Sequence, residues 1–258
     1  MRVRGYAPAT PCWSVLTSPD PARTAEFYCG LFGWTTTQSE DGATLFLLRD
    51  LVVAGVAPSS AERAAWLTYI ATDDAEATAA QVAAAGGTVL QPPADLATRG
   101  RATLLADPAG AVFGAWQKLR FAGAQVHDEP GSICWSETVT WDIRATAEFY
   151  GSVFGWTDQK GTSADTIHEY HEWISFNRVV GGISEMDENY PPGTPHHWRT
   201  IFSIDDCAGF ITRARDLGGQ VPAGPVDAGI GHAAHVLDPT GGAFLVIEVL
   251  PELRALMG

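Results

Sequence analysis

The sequence contains an internal repeat, which constrains the fold more than any other feature. The segment TAEFYCGLFGW, which starts at Thr24, recurs as TAEFYGSVFGW, which starts at Thr146, with eight of eleven residues identical and an offset of 122. A CWS triplet upstream of each copy follows the same offset, and a DP-x-G turn recurs from Asp107 and from Asp238. So many matches in the same order indicate a duplication of the whole unit.

Within each half, a shorter alternation of strands and helix occurs twice. Asp20 can cap a helix that has Pro21 in its first turn, and either Asp73 or Asp74 can cap an alanine-rich helix that ends at Gly86-Gly87. Apolar residues such as Phe27 fall on one face of the first helix, as expected for packing on a sheet. The pattern predicts an α+β fold with four βαβββ modules in tandem.

The domain boundaries follow from the repeat. We expect an N-terminal domain over residues 1–120, a linker over residues 121–131 that contains Gly123 and Pro130, and a C-terminal domain over residues 132–258. The four cysteines show no spacing typical of a zinc site, which favours a reduced cytoplasmic protein.

The strand–DP–helix opening with AEFY and FGW, together with the DP-x-G turn before the last strand, resembles the vicinal oxygen chelate superfamily. This superfamily includes glyoxalase I, bleomycin-resistance proteins and extradiol dioxygenases. The paired form with FGW in both halves is similar to an actinobacterial glyoxalase-like or hydroxylase-like branch. The resemblance implies that each half forms a cupped sheet that holds a small molecule.

Metal-dependent members of this superfamily place three ligands inside a cup, on its first, fifth and eighth strands. The resemblance maps these ligands onto residues that bind divalent metals poorly: Trp13, Leu67 and Gly114 in the first half, and Trp135, Arg199 and Leu245 in the second. Glu137, His197 and Glu248 lie nearby, yet no half offers three ligands at matching offsets. We therefore expect no metal and no cofactor, with a divalent metal as the alternative.

Six of the seven histidines lie in the second half. His168 and His171 do not form the HExxH zinc motif, because they are three residues apart. One interpretation places these histidines in loops and on the surface. The other has His197, Arg199 and His232 converge on the second cup for proton transfer or anion binding.

Strand alternation predicts which side chains line each cup. The first lining is aromatic and nearly uncharged, and the second adds polar groups. We assign tentative catalytic roles to Glu137, His197 and Arg199. The candidate ligand-binding residues are Trp13, Tyr69, Trp116, Trp135 and His232. In the alternative interpretations, the first lining fills its own core and Glu137 pairs with Arg199 without any ligand. Trp34 and Trp156 of the FGW repeats are predicted to pack in the core.

Charge and composition exclude some partners. The net charge of −14 and the lack of basic runs argue against nucleic acid and against anionic membrane surfaces. No stretch approaches the roughly 20 apolar residues of a membrane span. The expected partner is a small apolar or aromatic metabolite, bound by a monomer or a homodimer.

The sequence is compatible with three functions. The first is metal-independent binding or conversion of a small molecule, linked to secondary metabolism or drug resistance. The second is a metal-dependent lyase, isomerase or oxygenase of the glyoxalase type. The third is a non-catalytic interaction protein with vestigial cups. The sequence does not decide whether the protein is an enzyme.

Overall fold

The computed structural model describes residues 1–161 and 169–254. The first half contains eight strands and two helices: β1 (Pro11–Ser18), α1 (Pro21–Phe32), β2 (Thr35–Gln38), β3 (Thr44–Leu48), β4 (Leu51–Pro58), β5 (Ala65–Thr72), α2 (Ala75–Ala84), β6 (Thr88–Leu96), β7 (Gly100–Ala106) and β8 (Val112–Lys118). The second half follows the same order: β9 (Ile133–Thr140), α3 (Ile143–Phe154), β10 (Thr157–Lys160), β11 (Tyr170–Ser175), β12 (Arg178–Glu185), β13 (His197–Ser203), α4 (Cys207–Asp216), β14 (Gln220–Asp227), β15 (Gly231–Leu237), β16 (Ala243–Val249) and the short α5 (Pro251–Arg254).

Each half forms one mixed eight-stranded sheet, and the two sheets have equivalent strand orders. The first sheet has the order β2-β3-β4-β1-β5-β8-β7-β6, and the second has the order β10-β11-β12-β9-β13-β16-β15-β14. The two modules of each half meet where β1 runs antiparallel to β5 and where β9 runs antiparallel to β13. This arrangement confirms the α+β prediction of two tandem cupped sheets.

The predicted helix caps are present, and the number of strands agrees with four βαβββ modules. The carboxylates of Asp20 and Asp74 accept hydrogen bonds from backbone N–H groups three residues further on. The sequence gives no position for β2 and β10, whose residues are all exposed. Their sequences, TTTQ and TDQK, contain no apolar residue, so no hydrophobic period signals them.

The helices lie between the two sheets and form a core that both halves share. One buried cluster combines α1 with α4 and with strands of both sheets, and a second combines α2 with α3. The hydroxyls of Ser14 and Thr200, on central strands of the two sheets, lie 3.1 Å apart across this interface. The opposite face of each sheet is therefore left to form the cup.

The repeated signature residues hold the two halves together. Tyr28 of the first AEFY segment donates to Asp238 of the second DP-x-G turn at 3.1 Å and accepts from Trp66 at 2.9 Å. The reciprocal set joins Tyr150 to Asp107 at 3.4 Å and to Trp198 at 2.7 Å. We refer to these two sets as the tyrosine clamps.

The tryptophans of the FGW repeats are buried, which confirms the prediction of core packing. Trp34 and Trp156 are each 3% exposed. The Trp34 indole donates to the carbonyl of Gly131, and that of Trp156 donates to the carbonyl of Ala9, so each tryptophan also anchors a segment outside its own module.

The predicted linker follows the first sheet closely. The N–H of Ala124 donates to Cys12 at 2.9 Å and the N–H of Gln125 donates to Val52 at 2.7 Å. Val3 of the N-terminal segment in turn donates to the carbonyl of Gln125. These contacts fix the polypeptide between β8 and β9 against the rim of the first cup.

Candidate functional site in the second cup

The floor of the second cup carries a buried ion pair. Glu137 on β9 and Arg199 on β13 are direct cross-strand partners, so their side chains share one face of the sheet. The Nε of Arg199 donates to Oε1 of Glu137 at 2.7 Å, and Nη2 donates to the same oxygen. The side chain of Glu137 is 6% exposed and that of Arg199 is 18% exposed. The structure therefore brings two of the predicted catalytic residues into direct contact.

Tyr190, which no pattern in the sequence indicates, adds a third side chain to this pair. Its hydroxyl accepts a hydrogen bond from Nη1 of Arg199 at 3.3 Å. Tyr190 precedes β13 in an irregular segment, where strand alternation gives no information about which way a side chain points. Arg199 is thus fixed at three of its nitrogens, and its planar group is held rigidly in the cup.

Two histidines flank the ion pair and are held neutral. His197 pairs with Val139 beside the Glu137–Arg199 pair, and His235 pairs with Leu245 in the next row. Burial is the main cause that lowers the pKa of both imidazoles, and the positive charge of Arg199 lowers them further. Nδ1 of His197 lies 2.9 Å from the carbonyl of Pro195, so the neutral ring carries its proton there. Its Nε2 lone pair is therefore available as a proton acceptor.

Two aromatic side chains, Trp135 and Tyr170, lie on the same face of the sheet next to the ion pair. The side chains of Tyr170 and Trp135 are hydrogen-bonded to each other, and burial raises the pKa of the Tyr170 hydroxyl. Both groups lie over Gly182. A Cβ there would lie 2.9 Å from the Trp135 indole nitrogen and would also collide with the Tyr170 hydroxyl. The absent side chain at Gly182 allows the two rings to approach the backbone.

The structure places His235, and not His232, on the cup face of β15. His232 alternates with Ala234 and Val236, which pack in the core beneath the helices, so it lies on the opposite face from the cup and is exposed. His235, three residues further on, lies on the cup face.

The remaining acidic and histidine candidates lie outside the second cup. Glu248 accepts from the N–H of Cys207 at the start of α4, on the helix side. His171 contacts Asp158 and Glu169 on the helix face of β11, and these carboxylates raise its pKa although burial opposes them. His168 lies outside the described residues.

The donors in the second cup do not fit the three-ligand metal site of the superfamily. Among residues 1–161 and 169–254, no group of three or more histidine, cysteine, aspartate or glutamate side chains is placed to hold a metal ion. Of the carboxylates on this face, Glu137 is already bound to Arg199 and Glu172 accepts from Gln159, and the guanidinium of Arg199 would repel a divalent cation.

The first cup is lined by the predicted aromatic residues, which pack on one another. The rings of Trp13 and Trp116 are 5.4 Å apart and those of Trp13 and Tyr69 are 5.9 Å apart. Phe121, from the predicted linker, joins them at 5.1 Å from Trp13. Tyr69 lies flat on Gly114, where a Cβ would collide with its ring. Burial raises the pKa of Tyr69 to about 12.

A separate surface groove of about 580 Å³ lies outside both cups, between α3 and β10. Its lining includes Asp142, Glu148, Asp158, Glu169 and Glu185. We favour the second cup as the functional site, because the groove is open to solvent and several of its carboxylates are already ion-paired, Glu148 with Arg144 and both Asp158 and Glu169 with His171. In the described part of the chain, no helix is long and apolar enough to cross a membrane.

Known proteins resemble this chain over nearly its full length. The protein is 37% identical over 268 residues to the anthracycline biosynthesis protein DauV of Streptomyces sp. (strain C5), with 95% of this chain and 94% of DauV covered. The anthracycline biosynthesis protein DnrV of Streptomyces peucetius has the same identity and coverage.

Solved structures share the fold at low sequence identity. The 2,3-dioxygenase LapB from Pseudomonas sp. KL28 superimposes with a TM-score of 0.64 at 16% identity, covering 94% of this chain and 93% of LapB. The Mn(II)-bound glyoxalase from Novosphingobium aromaticivorans gives a TM-score of 0.64 at 18% identity, with coverages of 94% and 83%.

Family models match each half separately, as the repeat predicts. Residues 13–115 match the glyoxalase-like domain, and residues 137–246 match the glyoxalase/bleomycin resistance protein/dioxygenase superfamily. These matches cover both cups, including the positions of Trp13 and Glu137. Together with the full-length relatives, they show that the chain belongs to the vicinal oxygen chelate superfamily, which comprises the glyoxalases, bleomycin-resistance proteins and dioxygenases.

Proposed function

We propose that the second cup binds a small aromatic metabolite through the Glu137–Arg199 pair, without a metal ion. The observation that supports this proposal is the placement of this buried pair at the floor of the second cup, among the aromatic rings of Trp135 and Tyr170 and the imidazoles of His197 and His235. At the corresponding positions of the first cup, the chain has Val15 and Leu67. A buried charged pair is often no more stabilising than apolar residues of similar size, so its presence in only one cup favours a role in ligand binding.

The surrounding groups define the ligand. Trp135 and Tyr170 offer ring surfaces for a planar apolar body, and Arg199 and Tyr190 offer donors for an oxygen at its edge. The relatives named for anthracycline biosynthesis support a polycyclic aromatic compound of secondary metabolism. We therefore infer that the ligand is a phenolic aromatic compound.

The same geometry supports proton transfer if the bound ligand is converted. The free Nε2 of His197 would accept a proton from a ligand hydroxyl or an activated carbon, and Arg199 would stabilise the resulting oxyanion. Glu137 would orient Arg199 and offset its charge. These roles use only residues of this chain.

Calorimetric titration with alizarin and with an anthracycline aglycone tests the proposal. The variant Arg199→Met should weaken binding by about tenfold or more, equivalent to about 1.4 kcal/mol. Leu67→Met provides the matched control, because it places the same residue at the corresponding position of the first cup. Equal effects of the two variants, or no binding by the unmodified protein, would contradict the proposal.

A chelator separates this proposal from the metal-dependent alternative. Binding and any conversion should persist in excess EDTA and should fall in Glu137→Gln and His197→Ala. Loss of binding or turnover in EDTA, with recovery after a divalent metal is restored, would instead support a metal-dependent lyase, isomerase or oxygenase.

A further inference from the structure

A surface groove of about 430 Å³ lies between the N-terminal segment and the segment that follows β8. Arg2 and Arg4 line one wall, and Arg120 and Gly123 line the other. Its volume falls in the range of small-molecule sites. None of the aromatic residues of the first cup floor and none of the residues of the second cup lines it, so the groove is separate from the site proposed above.

The groove concentrates positive charge in an acidic protein. The chain has 30 acidic and 16 basic residues, yet three arginines and no acidic residue line this groove. The exposed Arg49 and Arg144 are ion-paired with glutamates. Within residues 1–161 and 169–254, the guanidinium groups of Arg2, Arg4 and Arg120 have neither a carboxylate partner nor a hydrogen bond. Like charges around one groove repel each other, and a bound anion would remove this repulsion.

The backbone of one wall adds two further donors. Ala122 and Gly123 line the groove, and in the described part of the chain their N–H groups donate to no other group, although Gly123 is buried. The N–H groups of the flanking residues, Phe121 and Ala124, are both bonded to backbone carbonyls. Unpaired buried N–H groups are rare in native structures, and successive N–H groups without partners bind anion oxygens. The backbone therefore points to the same class of ligand as the arginines.

Backbone contacts hold the two walls of the groove. Arg2 forms an antiparallel bridge with Val126, and the N–H of Arg120 donates to a backbone carbonyl at 3.2 Å. Arg2 and Arg4 are two residues apart, which is the spacing that places side chains on one side of an extended segment. The three guanidinium groups are thus carried on backbone that is fixed to the first sheet.

We propose that this groove binds a small molecule that carries a diphosphate group. Phosphate oxygens accept hydrogen bonds from guanidinium forks and from successive backbone N–H groups. A single carboxylate would leave most of the charge of three arginines unbalanced, whereas a diphosphate balances it. Val3 and Phe121, the larger apolar residues of the lining, are available to an attached organic group.

Calorimetric titration with ADP and with adenosine tests the proposal, because the two compounds differ only in the diphosphate group. ADP should bind, and adenosine should bind at least about tenfold more weakly. Arg4→Gln and Arg120→Gln should each weaken ADP binding by about fivefold or more, because each removes charge-assisted hydrogen bonds. Arg23→Gln is the matched control and should leave binding unchanged, since it removes one exposed positive charge on α1, outside the groove.

Nuclear magnetic resonance of the backbone amides gives a readout that a general effect of charge would not produce. ADP should shift the amide signals of Ala122 and Gly123, and inorganic sulfate at the same ionic strength should not. Ala124 is the internal control, because its N–H is already bonded to the carbonyl of Cys12.

A lipid headgroup could supply the same phosphate chemistry, so sedimentation with vesicles of phosphatidylcholine and phosphatidylinositol bisphosphate separates the two sources. The protein should stay in the supernatant, in keeping with its net charge of −14. Vesicle binding that is lost in Arg4→Gln and Arg120→Gln would overturn the assignment to a free diphosphate compound.

Three further results would overturn the proposal. The first is equal binding of ADP and adenosine, or no binding of either. The second is equal weakening by Arg23→Gln and by the two groove variants, which would show attraction by net charge alone. The third is ADP binding that survives in the groove variants and disappears in Arg199→Met. Alizarin binding should be the same in the groove variants and in the unmodified protein, so the function proposed for the second cup is tested separately.

Discussion

The two cups have the same strand order, yet each keeps its arginine–carboxylate pair in a different place. In the first cup, Arg99 and Asp41 join the rim and the floor is aromatic. In the second, Glu137 and Arg199 form the floor. Changes at a few inward positions have therefore given one duplicated scaffold two chemically different cup linings.

The interface between the halves shows the opposite behaviour. Both tyrosine clamps contain the same residue types with the same donors and acceptors, and both FGW tryptophans are equally buried. Residues that hold the sheets together have stayed alike, and residues that face the cups have diverged. The four predictions below test this contrast, beginning with the largest expected effect.

Breaking the ion pair of the second cup should destabilise the protein most. Glu137→Val leaves the charge of Arg199 buried and unpaired, so we expect a loss of about 3–5 kcal/mol in the free energy of unfolding. Adding Arg199→Leu gives the second cup the residues of the first and should recover most of this loss. Urea unfolding measures both. A double variant no more stable than the single one would show that the second cup cannot accept an apolar floor.

The tyrosine clamps should respond equally in both halves. Tyr28→Phe removes the acceptor of the Trp66 indole and the donor to Asp238, and Tyr150→Phe does the same to Trp198 and Asp107. We expect each substitution to lower the free energy of unfolding by about 2 kcal/mol, because buried polar partners are left unsatisfied. Thermal or urea unfolding of the two variants provides the comparison. Effects that differ several-fold would contradict the equivalence of the two clamps.

Filling the first cup further should reveal how tightly it is packed. Gly114→Ala introduces a Cβ that collides with the Tyr69 ring, and we expect a loss of about 1–2 kcal/mol in the free energy of unfolding. Adding Tyr69→Ile should relieve the collision. At the equivalent positions of the second cup, Ile201 faces Leu245, whose side chain is larger than that of alanine. Failure of this rescue in chemical denaturation would mean that Tyr69 is not the obstacle.

The smallest expected effect is the contribution of the second-cup histidines to the pH dependence of the free energy of unfolding. Burial lowers the folded-state pKa of His197 and His235 below the unfolded value near 6.5. The unfolded state therefore binds more protons at mildly acidic pH, and the contribution of these histidines is complete above about pH 6.5 and is lost as the pH falls through the folded-state pKa.

Unfolding measured from pH 5 to pH 8 tests this sign. The double variant His197→Asn with His235→Asn should flatten the profile. His171→Gln is the control with the opposite slope, since the folded-state pKa of His171 is raised and its contribution is lost as the pH rises. A profile that is the same in the double variant and in the unmodified protein would show that the two histidines are not desolvated.

The scaffold could be predicted from the sequence because its signals are repeated and local. The caps at Asp20 and Asp74 and the duplicated motifs fixed the modules, and alternation placed Glu137 and Arg199 on one face. The roles of Tyr190 and Arg99 could not be predicted, because both lie outside strands and their positions depend on tertiary contacts. No strand boundaries were predicted around His232, so alternation gave no face for it, and the structure places it on the face opposite the cup.

The tyrosine clamps carry a consequence for how the chain folds and how it can evolve. Each half supplies an aspartate that completes the buried hydrogen bonds of the other half, and the helices of both halves share one apolar interior. If either half were produced alone, that apolar interior would be exposed to water. We therefore expect an isolated half to be unstable as a monomer. A gene split between the repeats would yield two fragments that must associate to complete these hydrogen bonds, and loss of either copy would leave the buried partners of the other unsatisfied.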